Sequence, residues 1–348
     1  MKALFFGLGG IGQRHLRNLS ALLGDDLELH AYRVRRENLR LTDTLEVGGH
    51  DLEMSYDVTV HASVEQALAQ RPDAAFICNP TSMHAQTALA CVNAGVPVFI
   101  EKPVADDLVG IEPLLRAAAT NPVPVYVGFQ LRFHPAVRYT RAMLERGALG
   151  RIMSVRAEIA EFLPNWHRYE DYRRGYAARA ELGGGVIATQ THEIDLLCWF
   201  FGLPESVSTD GGKLSDLDVD VEDTASTLMR YDGASGRFPV LLHQDYLQQP
   251  PTRTLKVVGT NGMIALDLAG NHLAHHAQDG TVVLEDRFDG FVRNDLFREQ
   301  MRHFLDCLRG VERPLVDLQD GIASLRLTTA MKRSLSERRE VQLSEIAA

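Results

Sequence analysis

Over residues 1–127 the hydrophobic and polar positions switch back and forth between two periods. An apolar run of strand length, Lys2-Ala3-Leu4-Phe5-Phe6, ends at Gly7. Further short apolar runs predict strands over 27–32, 58–61, 74–78, 96–100 and 123–127. Between them the apolar residues recur at helical spacing, and Ile11, Leu16, Leu19, Leu22 and Leu23 make one face. Ser63, with Gln66 three residues on, has the spacing of a capping box and opens another helix. Helices are also predicted over 81–93, stopped by Gly95, and over 106–119. The run 74–78 is apolar throughout, as a parallel strand buried on both faces is. Strand–helix alternation of this kind predicts a doubly wound parallel sheet with ligands at the carboxyl ends of its strands.

From Arg151 the pattern changes. Residues 151–162 alternate in strand fashion, and a loop rich in aromatics and arginines follows over 166–176. Gly183-Gly184-Gly185 opens a helix over 186–201, closed by Gly202-Leu203-Pro204. Strands are predicted over 207–211, 225–230, 237–246, 254–259, 262–268 and 281–284. They are mostly consecutive, so one antiparallel sheet with helices on one face is expected. Amphipathic helices over 295–308 and 321–336 close the chain.

Length adds a second domain, since one core stops growing near ~250–300 residues and the chain has 348. The net charge of −10 argues against a nucleic-acid partner and against an anionic membrane surface. No apolar stretch approaches the roughly 20 residues of a membrane helix. The apolar N-terminus is broken by glycines and runs into Arg14 and Arg17, so it reads as a strand rather than a signal peptide. Cys78, Cys91, Cys198 and Cys307 are scattered without a CxxC pair, which suits reduced thiols in a cytoplasmic protein.

The most informative motif is Gly7-x-Gly9-x-x-Gly12, set between the first strand and its helix. That order is the dinucleotide-binding fingerprint. Gly7 permits the tight turn, Gly9 lets the backbone approach a pyrophosphate, and Gly12 lets the helix pack on the strand. The free N–H groups at the helix start receive the phosphates. Three later strand ends carry polar groups toward the same edge: Asn79-Pro80-Thr81-Ser82-Met83-His84, Glu101-Lys102-Pro103, and Gly128-Phe129-Gln130-Leu131-Arg132-Phe133-His134-Pro135.

The stretches GLGGIGQRH at 7–15, NPTSMH at 79–84, EKP at 101–103, GFQLRFHP at 128–135 and GGGVIATQTHEID at 183–195 resemble, in order and spacing, the glucose–fructose oxidoreductase/inositol dehydrogenase/MocA-type (Gfo/Idh/MocA) family. The resemblance covers nearly the whole chain. It implies an α/β fold with an NAD(P)-binding Rossmann domain, expected over 1–122. A second α/β domain is expected over 123–348, with a large open, mostly antiparallel sheet. Substrate binding and homodimer or homotetramer formation are expected there. The implied activity is NAD(P)-dependent oxidation or reduction of a sugar, sugar nucleotide or cyclitol. Residues expected at the cofactor are Gly7, Leu8, Gly9, Gly10, Ile11, Gly12, Arg33, Asn79, Thr81, His84, Glu101, Lys102 and Gln130.

Hydride transfer to or from an alcohol carbon requires a proton to move at its oxygen, a task suited to histidine, and a cation stabilises the alkoxide. The resemblance gives these jobs to Lys102 and His192; the bland alternatives are a solvated lysine and a histidine packed on Trp199. Relatives often have an aspartate three or four residues before that histidine, where this chain has Thr189 (Ala188 if four). On one continuous helix Thr189 shares a face with His192 and is expected only to touch substrate. Asp195, one turn later, either holds the imidazole or faces solvent. Arg132, Trp166, Arg173 and Tyr176 are candidate contacts for a sugar face and an anionic group, against the alternative of a loop that only packs. No metal site is expected: Asp216-x-Asp218-x-Asp220 lacks the glycine and distal glutamate of a calcium loop, and His272, His275 and His276 lack partner ligands.

An NAD site usually carries Asp or Glu about 20 residues beyond the glycines. Here the second strand ends in Arg33, with Arg35 and Arg36 close behind and no carboxylate between Glu28 and Glu37. A guanidinium pairs with a 2′-phosphate, so NADP is favoured over NAD. Two other functions fit the same fold: a non-catalytic dinucleotide-binding regulator, and an enzyme that uses a bound cofactor transiently for hydrolysis or epimerisation. Lys102 and His192 favour catalysis, because a regulator has no use for a proton-transfer pair.

Overall fold

In the computed structural model, residues 1–34, 38–233 and 236–347 are described. Arg35 and Arg36, invoked above for a 2′-phosphate, lie outside them. The chain divides into two compact units. The first comprises residues 1–129, 167–172 and 297–322; the second comprises 130–166, 173–296 and 323–348.

The first unit is built on a six-stranded, wholly parallel sheet. Its strands are β1 (Lys2–Phe6), β2 (Glu28–Tyr32), β5 (Val58–His61), β6 (Ala74–Ile77), β7 (Val98–Ile100) and β8 (Val125–Val127), in the spatial order β5-β2-β1-β6-β7-β8. Strand order reverses at β1, and such a switch leaves a crevice at the carboxyl ends where ligands bind. Helices α1 (Gly10–Leu23), α3 (Val64–Leu68), α4 (His84–Asn93) and α5 (Ile111–Thr120) connect the strands. Ser63 caps α3 by accepting from Gln66 N, as its spacing predicts. A hairpin, β3 (Arg40–Leu41) and β4 (Val47–Gly49), and a single turn, α2 (Leu52–Ser55), fill the β2–β5 connection. The core is aromatic: Phe5 stacks on Phe76 at 4.7 Å and Phe99 on Tyr126 at 5.3 Å. Phe304, from a helix late in the chain, sets its edge against Phe76, Phe99 and Tyr126.

The second unit contains a nine-stranded sheet of order β16-β15-β14-β13-β9-β12-β11-β10-β17. These strands are β9 (Ile152–Ala160), β10 (Ser206–Gly212), β11 (Thr224–Gly233), β12 (Gly236–Asp245), β13 (Thr252–Gly259), β14 (Gly262–Asp267), β15 (His272–Ala277), β16 (Val282–Arg287) and β17 (Val341–Gln342). The expected antiparallel sheet is mixed at one place, because β9 inserts between β13 and β12 and runs parallel to β12. Helix α6 (Pro135–Glu145) belongs to this unit, while α9 (Arg293–Leu308) lies mostly in the first unit and α10 (Leu318–Glu337) mostly in the second.

Other elements also differ from expectation. The helix over 186–201 is two helices, α7 (Val186–Thr189) and α8 (Thr191–Phe201), parted at Gln190 with φ −90° and ψ 49°. Side chains and carbonyls of β12 hold that break: Gln190 Nε2 donates to Asp245 O at 2.9 Å, and Gln244 Nε2 donates to Gln190 O at 2.9 Å. Strand β15 was hidden by its three histidines, of which His275 is buried with Nδ1 2.8 Å from the Tyr139 hydroxyl. Helix α6 starts at Pro135, and His134 caps it by accepting from Ala136 N at 3.1 Å through Nδ1.

Candidate functional site

The glycine-rich turn is built as a phosphate cradle. Gly7 has φ +90°, and a Cβ on it would lie 2.8 Å from the Cys78 carbonyl oxygen. A Cβ on Gly12 would collide with the Gly7 carbonyl, so α1 rides directly on β1. At Gly9 a Cβ would meet no atom within 4 Å, which leaves open space in front of the turn. Helix α1 has no side-chain cap and no acidic residue in its first turn, so its first N–H groups are left for a ligand. Across the turn a Cβ on Gly10 would lie 2.6 Å from the Tyr169 hydroxyl. At the neighbouring strand end Asn79 Nδ2 donates to Thr87 Oγ1 at 2.9 Å, while its buried Oδ1 has no hydrogen-bond partner. A ribose hydroxyl is a donor of the kind that oxygen lacks. These residues fit a dinucleotide.

The EKP turn is braced from two sides. His15 on α1 donates through Nε2 to Glu101 Oε1 at 2.6 Å, with both side chains buried. Gly128 leaves room beside it, since a Cβ there would stand only 3.0 Å from that carboxylate. His84 sits with Nδ1 2.7 Å from Pro103 O and Nε2 2.8 Å from Asn79 O. Burial holds its pKa below the usual value, against the opposing pull of the two carbonyls. His84, expected at the cofactor, joins the β6 loop to the EKP turn, and Thr81 is buried near the start of α4. Lys102 follows Glu101 and is half-buried. Arg33, at the end of β2, forms an ion pair with Glu53 of α2 at 2.6 Å.

In the second unit, Gln130 Nε2 donates to His192 Nε2 at 3.1 Å, and both residues are buried. Gln130, expected at the cofactor, is thereby placed on the candidate proton carrier. Arg132 is not arranged as an open substrate contact: its Nε and Nη2 lie 3.0 and 2.6 Å from the two oxygens of Asp195, and its guanidinium covers Trp199. Burial rules out the reading in which Asp195 faces solvent, and its carboxylate pairs with Arg132.

Thr189 Oγ1 donates to Gly185 O at 2.8 Å and meets the Tyr246 hydroxyl. Burial pushes that phenol well above its ordinary range. Because α7 and α8 are separate, the continuous helix face expected for Thr189 and His192 does not exist. Glu222, which sequence reasoning passed over, accepts from Ile187 N at 3.2 Å at the start of α7, and burial raises its pKa.

The aromatic–arginine loop is divided between the units. Residues 167–172 belong with the glycine turn, where Tyr169 lies, whereas Trp166, Arg173 and Tyr176 belong with the second unit. Trp166 sets its edge against Tyr246 at 5.3 Å, and its buried indole N–H lacks a hydrogen-bond partner. Arg173 is exposed and Tyr176 half-buried. Elsewhere, Asp218 and Asp220 pair with Arg179, and His272 pairs with Glu285.

Residues 1–129 match the model of an oxidoreductase family with an NAD-binding Rossmann fold, and residues 137–265 match the GFO/IDH/MocA C-terminal domain. A myo-inositol 2-dehydrogenase of Thermotoga maritima is 28% identical, with 99% of each chain covered. A 2,7-anhydro-N-acetylneuraminate hydratase of Mediterraneibacter gnavus is 22% identical over 92% of this chain and 94% of its own. The fold matches that of the WlbA dehydrogenase from Bordetella pertussis, a structure in complex with NADH and UDP-GlcNAcA. Its TM-score is 0.80 at 22% identity, covering 98% of this chain and 97% of that one.

Proposed function

Because the chain belongs to the Gfo/Idh/MocA family of NAD-binding oxidoreductases, we propose that it moves a hydride between a nicotinamide dinucleotide and a hydroxyl or ketone of a sugar, sugar nucleotide or cyclitol. The observation that carries this reading is the glycine cradle, open at Gly9 and backed by an uncapped helix start. The bound dinucleotide supplies the hydride acceptor or donor; the protein supplies position and the proton. Gly7, Gly9 and Gly12 would bring the N–H groups of α1 to the pyrophosphate, and Asn79 Oδ1 would accept a hydrogen bond from a ribose hydroxyl.

Lys102 places an ammonium at the end of β7, where it stabilises charge developing on the reacting oxygen. His192 carries the proton, and the Gln130 amide, 3.1 Å from Nε2, orients the ring. The unpartnered Trp166 N–H supports a polar, hydroxyl-bearing substrate, with Arg173 and Tyr176 on the same loop. Arg132 and Asp195 support the start of α8 from beneath rather than contact substrate. The similarity to a hydratase supports a second reading, in which the oxidation is transient.

Copies associate through the large sheet in this proposal. Leu228 and Leu241 face each other across β11 and β12 and are left 54% and 43% exposed. Four free cysteines support a reducing, cytoplasmic setting. A nicotinamide-absorbance screen over nucleotide sugars, free sugars and cyclitols, in both directions and with both dinucleotides, tests the proposal. Turnover of one such class is the expected result; dinucleotide binding without turnover of any would favour the regulator.

A further inference from the structure

Resting on that dinucleotide site, we propose that Glu53 makes it selective for NAD(H) over NADP(H), supplying from α2 the carboxylate that the end of β2 lacks. In NAD sites an acid at the end of the second strand accepts from the adenosine ribose 2′-hydroxyl. Here that place in the sequence is Arg33, and the backbone puts it beside the fingerprint, since Gly7 N donates to Tyr32 O at 3.2 Å. Arg33 Nη1 stands 2.6 Å from Glu53 Oε1. The exposures within the pair are unequal: the arginine side chain is 7% exposed and the glutamate 39%. What the pair turns outward is therefore the acid.

The carboxylate is held in place by its surroundings. Asn38 accepts from Leu52 N at 3.3 Å through its carbonyl and from Glu53 N at 3.0 Å through Oδ1, which fixes the start of α2. Arg40 Nε donates to Asp51 Oδ1 at 2.8 Å, tying the hairpin to the same turn. Gln13 of α1 then clamps the approach to that hairpin, donating to Leu39 O and accepting from Leu41 N, both at 2.8 Å. The helix that receives the phosphates thus also sets the position of Glu53.

A 2′-hydroxyl can donate to the remaining lone pairs of this carboxylate. A 2′-phosphate meets like charge there, and to reach the Arg33 guanidinium it must displace an ion pair already made. Arg35 and Arg36, the other cations offered to a 2′-phosphate by the sequence, lie outside the described residues, and the experiment includes them by using the full chain.

NADH and NADPH are titrated into the wild-type protein and into Glu53→Gln, which keeps the side-chain shape and removes the charge. Binding is read by cofactor fluorescence and calorimetry. The wild type is expected to bind NADH at least tenfold tighter than NADPH. In Glu53→Gln the NADPH affinity is expected to rise at least tenfold, while NADH weakens by less than that. Wild type binding NADPH as tightly as NADH, or a preference ratio unmoved in Glu53→Gln, overturns the proposal while leaving the dinucleotide site intact. Binding of neither dinucleotide overturns the site and the proposal together.

Discussion

Arg132 and Asp195 grip each other through two nearly parallel hydrogen bonds of 3.0 and 2.6 Å, with each side chain only 1% exposed. Removing one partner from such a pair strands the other as an uncompensated buried charge, which costs about 3–5 kcal/mol. Arg132→Ala or Asp195→Ala should therefore lower unfolding stability by that amount, measured by urea denaturation. The double change Arg132→Met with Asp195→Leu should recover most of it. Additive losses in the double variant would show that the two side chains do not act as a pair.

Lys102→Ala is expected to lower kcat by orders of magnitude on whatever substrate the screen identifies, because the ammonium acts on charge that appears only as the hydride moves. Dinucleotide affinity, set by the glycine cradle, should change little. Near-normal turnover in this variant would take Lys102 out of the chemistry.

For His192 the expected signature is a pH profile. In the oxidation direction the ring must accept a proton, so kcat/KM should fall as pH drops through its pKa. His192→Asn should abolish that limb together with most of the rate. A limb that persists in the variant would assign it to another group, with Tyr176 the next to test.

His134 ties stability to pH. Burial depresses its pKa from 6.5 to about 4, and its Nδ1 accepts from Ala136 N at the start of α6, a bond that protonation destroys. The folded state therefore binds fewer protons than the unfolded chain between these two values. The contribution is full above pH 6.5 and is lost as pH falls toward 4, amounting to about 3 kcal/mol at ~1.4 kcal/mol per unit. His134→Asn keeps a capping acceptor that does not titrate, so denaturation midpoints of the variant should fall less between pH 7 and pH 4.5. Equal slopes in the two proteins would remove His134 from the pH response.

Much of this architecture is readable locally. Gly7 and Gly12 declare the turn because a Cβ at either would strike a backbone carbonyl, and Gly9 leaves open space in front of it. Ser63 and Gln66 announce a cap within one turn. What sequence reasoning missed depends on residues far apart in the chain. Periodicity runs straight through 186–201, yet Gln244 and Asp245 take the hydrogen bonds of Gln190 and split the helix. Arg132 looks like a free cation until Asp195, 63 residues on, closes over it. Glu53 escapes a search confined to the end of β2 because it arrives by way of a hairpin. The histidines of β15 obscured a strand whose inward side chains, Leu273 and His275, are buried.

Phe304 also has a practical consequence for protein production. Its ring packs on Phe76, Phe99 and Tyr126, although it follows even Tyr126 by 178 residues (304 − 126). A recombinant fragment ending near residue 129 would carry the whole nucleotide fingerprint and every strand of the six-stranded sheet, yet leave this aromatic face wet. Such a fragment is expected to aggregate through that exposed apolar face. During synthesis the nascent chain faces the same exposure until the ribosome has passed α9, so the time to translate those residues sets how long the face needs protection.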